Sequence, residues 1–191
     1  TSAMSTAAFL KGQCPGGSVY AIGEPGLFGA LYDAGFTMNE VNPDYVVLGE
    51  THTYNYEKIE RAVQLVLGGA KLIGTNPDLT GPIENGIAPA CRALIAPIEM
   101  ATGKQAYFCG KPNPLMMRTG LKMLNCHSGE AVMVGDRMDT DVISGMESGM
   151  STVLVLSGVS TRESLRTYAY RPSIVLDGVG DIAAMARAEK K

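Results

Sequence analysis

The chain has 191 residues, 46% of them hydrophobic and 18% charged, with a formal net charge of −3. That length and apolar content suit one α/β domain or two small ones and argue against disorder. The negative balance excludes a general attraction to nucleic acid or to an anionic membrane surface. No apolar run reaches spanning length either, so any affinity for phosphate must come from a local site.

The opening apolar stretch, residues 3–10, has no basic lead-in and is too short for a signal peptide. From there one pattern recurs: an apolar run, then glycine, then a polar residue. It appears as Val19-Tyr20-Ala21-Ile22-Gly23-Glu24, Tyr45-Val46-Val47-Leu48-Gly49-Glu50 and Lys71-Leu72-Ile73-Gly74-Thr75. It returns as Tyr107-Phe108-Cys109-Gly110-Lys111 and Val132-Met133-Val134-Gly135-Asp136. Short continuous apolar runs suit strands buried on both faces, as parallel sheets require.

Helical spacing fills the gaps. Leu27, Leu31 and Ala34 precede Gly35, and Ile59, Ala62, Val63, Val66 and Leu67 precede Gly68-Gly69. Leu115, Met116, Leu121 and Leu124 mark another helix, opened by Pro112-Asn113-Pro114, whose Met-rich part reads as core. Strands alternating with helices predict an α/β fold. Residues 76–86, rich in Pro, Gly, Asn and Asp, read as a long loop, and residues 101–105 as a crossing between domains 1–102 and 103–191.

Cys14, Cys91, Cys109 and Cys126 are widely spaced with no C-x-x-C, which points to a reduced, cytoplasmic chain with buried thiols. With only His52 and His127, a histidine-rich transition-metal site is excluded, and a bound metal should be a hard, oxygen-liking ion such as Mg²⁺.

Two stretches place charge where an apolar strand stops and a helix begins, the position at which open α/β sheets collect ligands. In Gly135-Asp136-Arg137-Met138-Asp139-Thr140-Asp141 the acids read either as a helix start, with Asp139 as N-cap, or as a cation site. Clustered carboxylates repel by about 4 kcal/mol per close pair at an effective dielectric near 20, and a cation offsets that, so the spacing favours metal binding at Asp136 and Asp141. Lys111, between Gly110 and Pro112, is either solvated charge or a group that neutralises a phosphoryl oxygen.

Gly110-Lys111-Pro112-Asn113-Pro114, Gly135-Asp136-Arg137-x-x-Thr140-Asp141 and Leu154-Val155-Leu156-Ser157-Gly158-Val159 together resemble the haloacid-dehalogenase (HAD) superfamily of phosphatases. More narrowly they resemble its class IIA branch, NagD-type and phosphoglycolate or pyridoxal phosphatase-like. The similarity runs from Thr1-Ser2-Ala3 to Arg171-Pro172-Ser173. It implies a cap domain over 1–102, inserted before the lysine motif, and the C-terminal half of a Rossmann-like core over 103–191. It also implies Mg²⁺ bound by the residue matching Asp136 and supported by the one matching Asp141. Lys111 would hold phosphate and nucleophile together. Asn76 and Asp78, in Thr75-Asn76-Pro77-Asp78, and Arg92 would contact substrate.

The family's opening Asp-x-Asp-Gly strand, which carries the nucleophile and the general acid–base, has no counterpart in the sequence. Asp139-Thr140-Asp141 is the only Asp-x-Asp, and Ile174-Val175-Leu176-Asp177-Gly178-Val179 falls at the family's final strand. The chain is therefore expected to be an N-terminally truncated fragment, inactive alone, with Ala131-Val132-Met133-Val134 left as an open sheet edge. The complete protein would be a Mg²⁺-dependent phosphatase of a small phosphorylated metabolite, a nucleotide monophosphate or a sugar phosphate, acting through an aspartyl-phosphate. The alternative is a non-catalytic phosphate-ligand binding module; homo-oligomerisation stays open. Gly23-x-x-Gly26-x-x-Gly29 has the wrong order for a dinucleotide fingerprint, and Asn42-Pro43-Asp44 reads as a plain turn.

Overall fold

Helix α1 (Ser2–Gln13) starts on Thr1, whose hydroxyl accepts the N–H of Met4 at 3.3 Å. The computed structural model describes residues 1–188. They divide into two compact units, Thr1–Gly110 and a second from Lys111 onward.

In the first unit α1 is followed by β1 (Ser18–Ile22), α2 (Pro25–Asp33), β2 (Thr37–Met38) and β3 (Tyr45–Leu48). Helix α3 (Tyr56–Leu67), β4 (Lys71–Gly74), the antiparallel hairpin of β5 (Thr80–Ile83) and β6 (Gly86–Pro89), α4 (Cys91–Thr102) and β7 (Tyr107–Phe108) complete it. Proline opens α2 at its first position, where no N–H is needed, and the Asn55 side chain caps α3 on Lys58 N at 3.0 Å. Four of the expected apolar runs become strands of one parallel sheet, in the order β2-β1-β3-β4-β7. Every residue of β3 is buried, as expected for a strand covered on both faces.

The core of this unit joins Val46, Leu48 and Leu72 of the sheet to Ala62, Leu65 and Val66 of α3 and to Leu94, Ile95 and Ile98 of α4. Each fully buried aliphatic side chain contributes about 1.5–3 kcal/mol of transfer free energy, and Leu10, Val19, Leu31, Phe36 and Val47 are buried outside this cluster as well. The expected loop at 76–86 instead contains β5, because its residues pair with β6 rather than following a buried apolar rhythm. Residues 101–105 begin with the end of α4; the strand after them, β7, pairs with β4.

The second unit runs α5 (Pro114–Leu124), β8 (Val132–Gly135), a π-helical turn (Met138–Val142), α6 (Ile143–Glu147), β9 (Ser151–Val155), β10 (Ile174–Leu176) and α7 (Gly180–Ala188). Its parallel sheet has the order β10-β9-β8, with β8 at an edge where Val132 and Val134 are exposed. The core is small: Met138, Val142 and Leu154, with Leu156, Leu165, Tyr168 and Tyr170 packed on it. None of α5's residues is buried, so Met116 and Met117, read as core from spacing, are only half-buried. Amphipathic spacing gives a helix its apolar face but does not supply the surface that buries it.

Candidate active site

Strand β8 stops at Gly135, and Asp136 is the first residue beyond its carboxyl end. The chain then enters the π-helical turn, a geometry frequent at functional sites. The wider winding, with Ile143 N–H donating to the Met138 carbonyl five residues back, brings Asp141, which is buried, beneath the strand end. One of its carboxylate oxygens accepts the backbone N–H groups of Asp136 and Arg137, each at 3.1 Å, and the other is paired with the ammonium of Lys111. Gly135 is required for this approach, since a Cβ there would collide with the Asp141 carboxyl group.

Asp136 is fixed at three of its four polar atoms. Its N–H goes to Asp141, its carbonyl accepts from Ser160 N at 3.0 Å, and Oδ2 accepts from Val159 N at 2.8 Å. The donors on Val159 and Ser160 come from the loop after β9, where Gly158 lies so close that a Cβ would overlap the Asp136 carboxylate. Oδ1 of Asp136 takes no hydrogen bond among the described residues.

Asp139 does not take the N-cap role expected for it. Its two oxygens are bound by the Arg137 guanidinium at 3.1 and 2.8 Å, and that pairing holds its carboxyl below the ordinary aspartate range. The repulsion anticipated among the three acids is thus offset in part by the chain's own cations, Lys111 on Asp141 and Arg137 on Asp139.

In the first unit, Asn76 and Asp78 follow β4. Thr75 Oγ1 donates to Asn76 Oδ1 at 2.9 Å, and Asn76 Nδ2 donates to Asp78 Oδ2 at 2.5 Å and to Glu50 Oε1 at 3.2 Å. Glu24, Gly49, Glu50, Thr75 and Asn76 line a depression of about 390 Å³ at the carboxyl ends of β1, β3 and β4. Because the chain moves from β1 to β2 on one side and from β3 to β4 on the other, this is the sheet's switch point. Glu50 was not singled out from sequence, although it ends a run of the strand–glycine–polar pattern.

Arg92 is joined to this loop by its backbone, whose N–H donates to the Asp78 carbonyl at 2.9 Å, but its side chain is engaged along α4. Its guanidinium pairs with buried Glu99 one face along α4 and sits 5.3 Å from the Phe108 ring centroid. Glu99 also accepts the N–H of Ala106 at 2.7 Å, which ties the segment after α4 to the helix.

The HAD-hydrolase-like family matches residues 108–182, the stretch that holds Lys111, Asp136 and Asp141. Dihydroxyacetone phosphatase of Corynebacterium glutamicum (strain R) is 52% identical over 183 residues, covering 96% of this chain and 66% of its own length. Ribonucleotide monophosphatase NagD of Escherichia coli (strain K12) is 44% identical over 182 residues, covering 95% of this chain and 71% of its own. The chain belongs to the HAD-like hydrolases, in their NagD-type class IIA branch.

Solved HAD-type structures share the fold. NagD from E. coli K-12 superimposes with a TM-score of 0.87 at 43% identity, over 95% of this chain and 71% of that one. A 4-nitrophenylphosphatase from Thermotoga maritima reaches 0.91 at 33% identity, over 96% and 71%. The chain therefore spans about two thirds to seven tenths of the relatives it matches. No helix among the described residues is long and apolar enough to cross a membrane.

HAD phosphatases generally use Mg²⁺, and the donor chemistry here can be tested against that ion. Mg²⁺ is bound through one or two carboxylates and retains several waters, so it does not need a cage of protein side chains. Asp136 meets this requirement: its backbone and Oδ2 are held, and Oδ1 is a hard oxygen left over at the strand end. Asp141 has both oxygens engaged by Lys111 and two backbone N–H groups, so in this arrangement it braces the loop. Asp136 fits the ion as one ligand of its shell; among the described residues no group of three His, Cys, Asp or Glu side chains gathers as a metal cage, at this site or at any other.

Proposed function

We propose that this chain is part of a Mg²⁺-dependent phosphatase that hydrolyses a small phosphorylated metabolite, a sugar phosphate or a nucleotide monophosphate, in the cytoplasm. The observation that carries the reading is the chain of contacts from Lys111 through Asp141 to Asp136. It sets an ammonium group and a free carboxylate oxygen around one buried acid at the end of a parallel strand. Lys111 neutralises a phosphoryl oxygen, Asp136 is a metal ligand, and Asp141 keeps both in register. When bound, Mg²⁺ supplies positive charge that stabilises the phosphoryl group as negative charge builds on it. The names of the two relatives, one for dihydroxyacetone phosphate chemistry and one for ribonucleotide monophosphates, support the substrate class.

In this reading the first unit serves as the cap, and Asn76 and Asp78 contact the substrate's organic part. The nucleophile that forms the aspartyl-phosphate lies outside this sequence, since the only Asp-x-Asp, Asp139-Thr140-Asp141, is committed to the loop just described. Arg92, engaged with Glu99, is assigned to the cap's structure rather than to substrate.

The test is hydrolysis of p-nitrophenyl phosphate, with and without Mg²⁺, by the full-length gene product and by this chain alone. Metal-dependent turnover by the former and none by the latter is the expected result. Phosphate-ester binding with no turnover by either would favour a binding module instead.

A further inference from the structure

Two side chains outside the family's motif residues hold the segment that presents Asp136. Ser160 is buried, and it grips this segment twice: its N–H donates to the Asp136 carbonyl at 3.0 Å, and its Oγ accepts the N–H of Met138 at 3.2 Å. The hydroxyl of Tyr170, packed among Met138, Val142 and Leu154, donates to the Met138 carbonyl at 2.9 Å. Both polar backbone atoms of Met138 therefore take a side-chain partner from 22 and 32 residues away in sequence, the carbonyl in addition to the Ile143 N–H of the turn itself.

Met138 opens the π-helical turn, so whatever fixes it fixes the path from Asp136 to Asp141. The Ser160 grip also sets the neighbouring Val159 N–H, which orients the Asp136 carboxylate through Oδ2. We propose that Ser160 and Tyr170 are positioning residues for Asp136: they hold the backbone on both sides of it, so that Oδ1 is presented to a divalent cation in one orientation. The proposal rests on the reading of Asp136 as a metal ligand. Both side chains act on backbone atoms of Met138 and not on the Asp136 carboxylate itself. Removing a group that orients a metal ligand typically lowers metal affinity by about 10–100-fold.

The experiment uses the full-length gene product and Mn²⁺, followed by water-proton relaxation, so that binding is read independently of turnover. Ser160→Ala is expected to weaken Mn²⁺ binding by roughly tenfold or more, and Tyr170→Phe to weaken it less but in the same direction. Both should melt close to wild type. Their kcat should recover at saturating metal, while KM for p-nitrophenyl phosphate stays unchanged, a split that a general loosening of the fold does not produce. Ser160→Thr, which keeps the hydroxyl, should restore most of the affinity.

If Ser160→Ala does not fold, Tyr170→Phe decides, because it deletes one oxygen from a half-buried ring. Wild-type Mn²⁺ affinity in folded variants overturns the positioning role and leaves the metal reading intact. A wild-type protein that binds no Mn²⁺ overturns both.

Discussion

Asp141 holds Asp136 by its backbone and not by its side chain: the N–H of Asp136 donates to Asp141 Oδ2 at 3.1 Å, and Asp141 Oδ1 faces Lys111. One buried carboxylate thus sets the position of the strand-end acid and the charge of the lysine together. The arrangement explains why an acid five residues past Asp136 belongs to the site even though both of its own oxygens are taken.

Asp141→Asn should separate these roles. The amide oxygen still accepts the two backbone N–H groups, but the ion pair with Lys111 is lost and an NH₂ group faces the ammonium. Breaking a fully buried pair costs about 3–5 kcal/mol; Lys111 is 32% exposed, so roughly 1–3 kcal/mol is expected here. Phosphatase activity of the full-length protein should fall at least about tenfold, because Lys111 is no longer held in place. Urea melts and steady-state rates measure the two effects. A variant as stable and as active as wild type would remove Asp141 from the site.

Arg92 offers a contrast between a stability role and a substrate role. Arg92→Ala leaves Glu99 buried with only the Ala106 N–H as partner, and the arginine loses its contact with the Phe108 ring. The expected cost is about 2–4 kcal/mol, with KM unchanged, and adding Glu99→Gln should recover part of it by removing the stranded charge. A wild-type melt with a raised KM would return Arg92 to the substrate.

The strands were legible because five apolar runs, each ending in glycine, suit parallel strands, and all five form parallel pairs, although only β3 is buried throughout and β7 and β8 lie at sheet edges. Thr37–Met38 and the Thr80–Ile83 hairpin strand escaped notice because they are short and their side chains mostly face solvent, which leaves no hydrophobic signature. Helix α5 shows the opposite error: its spacing predicted the helix correctly and its burial wrongly. In the site, Lys111, Asp136 and Asp141 stood out because charge at a strand end is unusual. Ser160 and Tyr170 did not, since a serine and a tyrosine acting on backbone atoms 22 and 32 residues away leave no local pattern.

Acid sensitivity of this loop follows from Asp139. Its carboxyl is held below the ordinary aspartate value, first by the hydrogen bonds from Arg137, against an opposing push from burial. A depressed folded-state value contributes stability that is present above the unfolded value, near 3.9, and is lost as pH falls through the folded one. Asp139→Asn should therefore melt below wild type at pH 6, with the gap closing as both are taken below about pH 4. Thermal melts across that range measure it, and a gap that persists unchanged at low pH would point away from the Arg137 pairing.

Gly158 gives the sharpest steric test of how Asp136 is presented. The backbone of the loop after β9 passes so near the carboxylate that a methyl group at 158 overlaps Oδ2, and the Val159 N–H that orients this oxygen is the next donor along the chain. Gly158→Ala must either push the Asp136 side chain to another rotamer or move the loop, and in both cases Oδ1 leaves its position. Overpacking of this kind costs about 1–3 kcal/mol, well within what a folded domain tolerates. The full-length variant should therefore remain folded, while its Mg²⁺-dependent rate falls by about tenfold or more and its metal requirement shifts to higher concentration. Circular dichroism and a Mg²⁺ titration of p-nitrophenyl phosphate hydrolysis distinguish the outcomes. A folded variant with the wild-type metal dependence would mean that the approach of Gly158 does not govern the carboxylate at all.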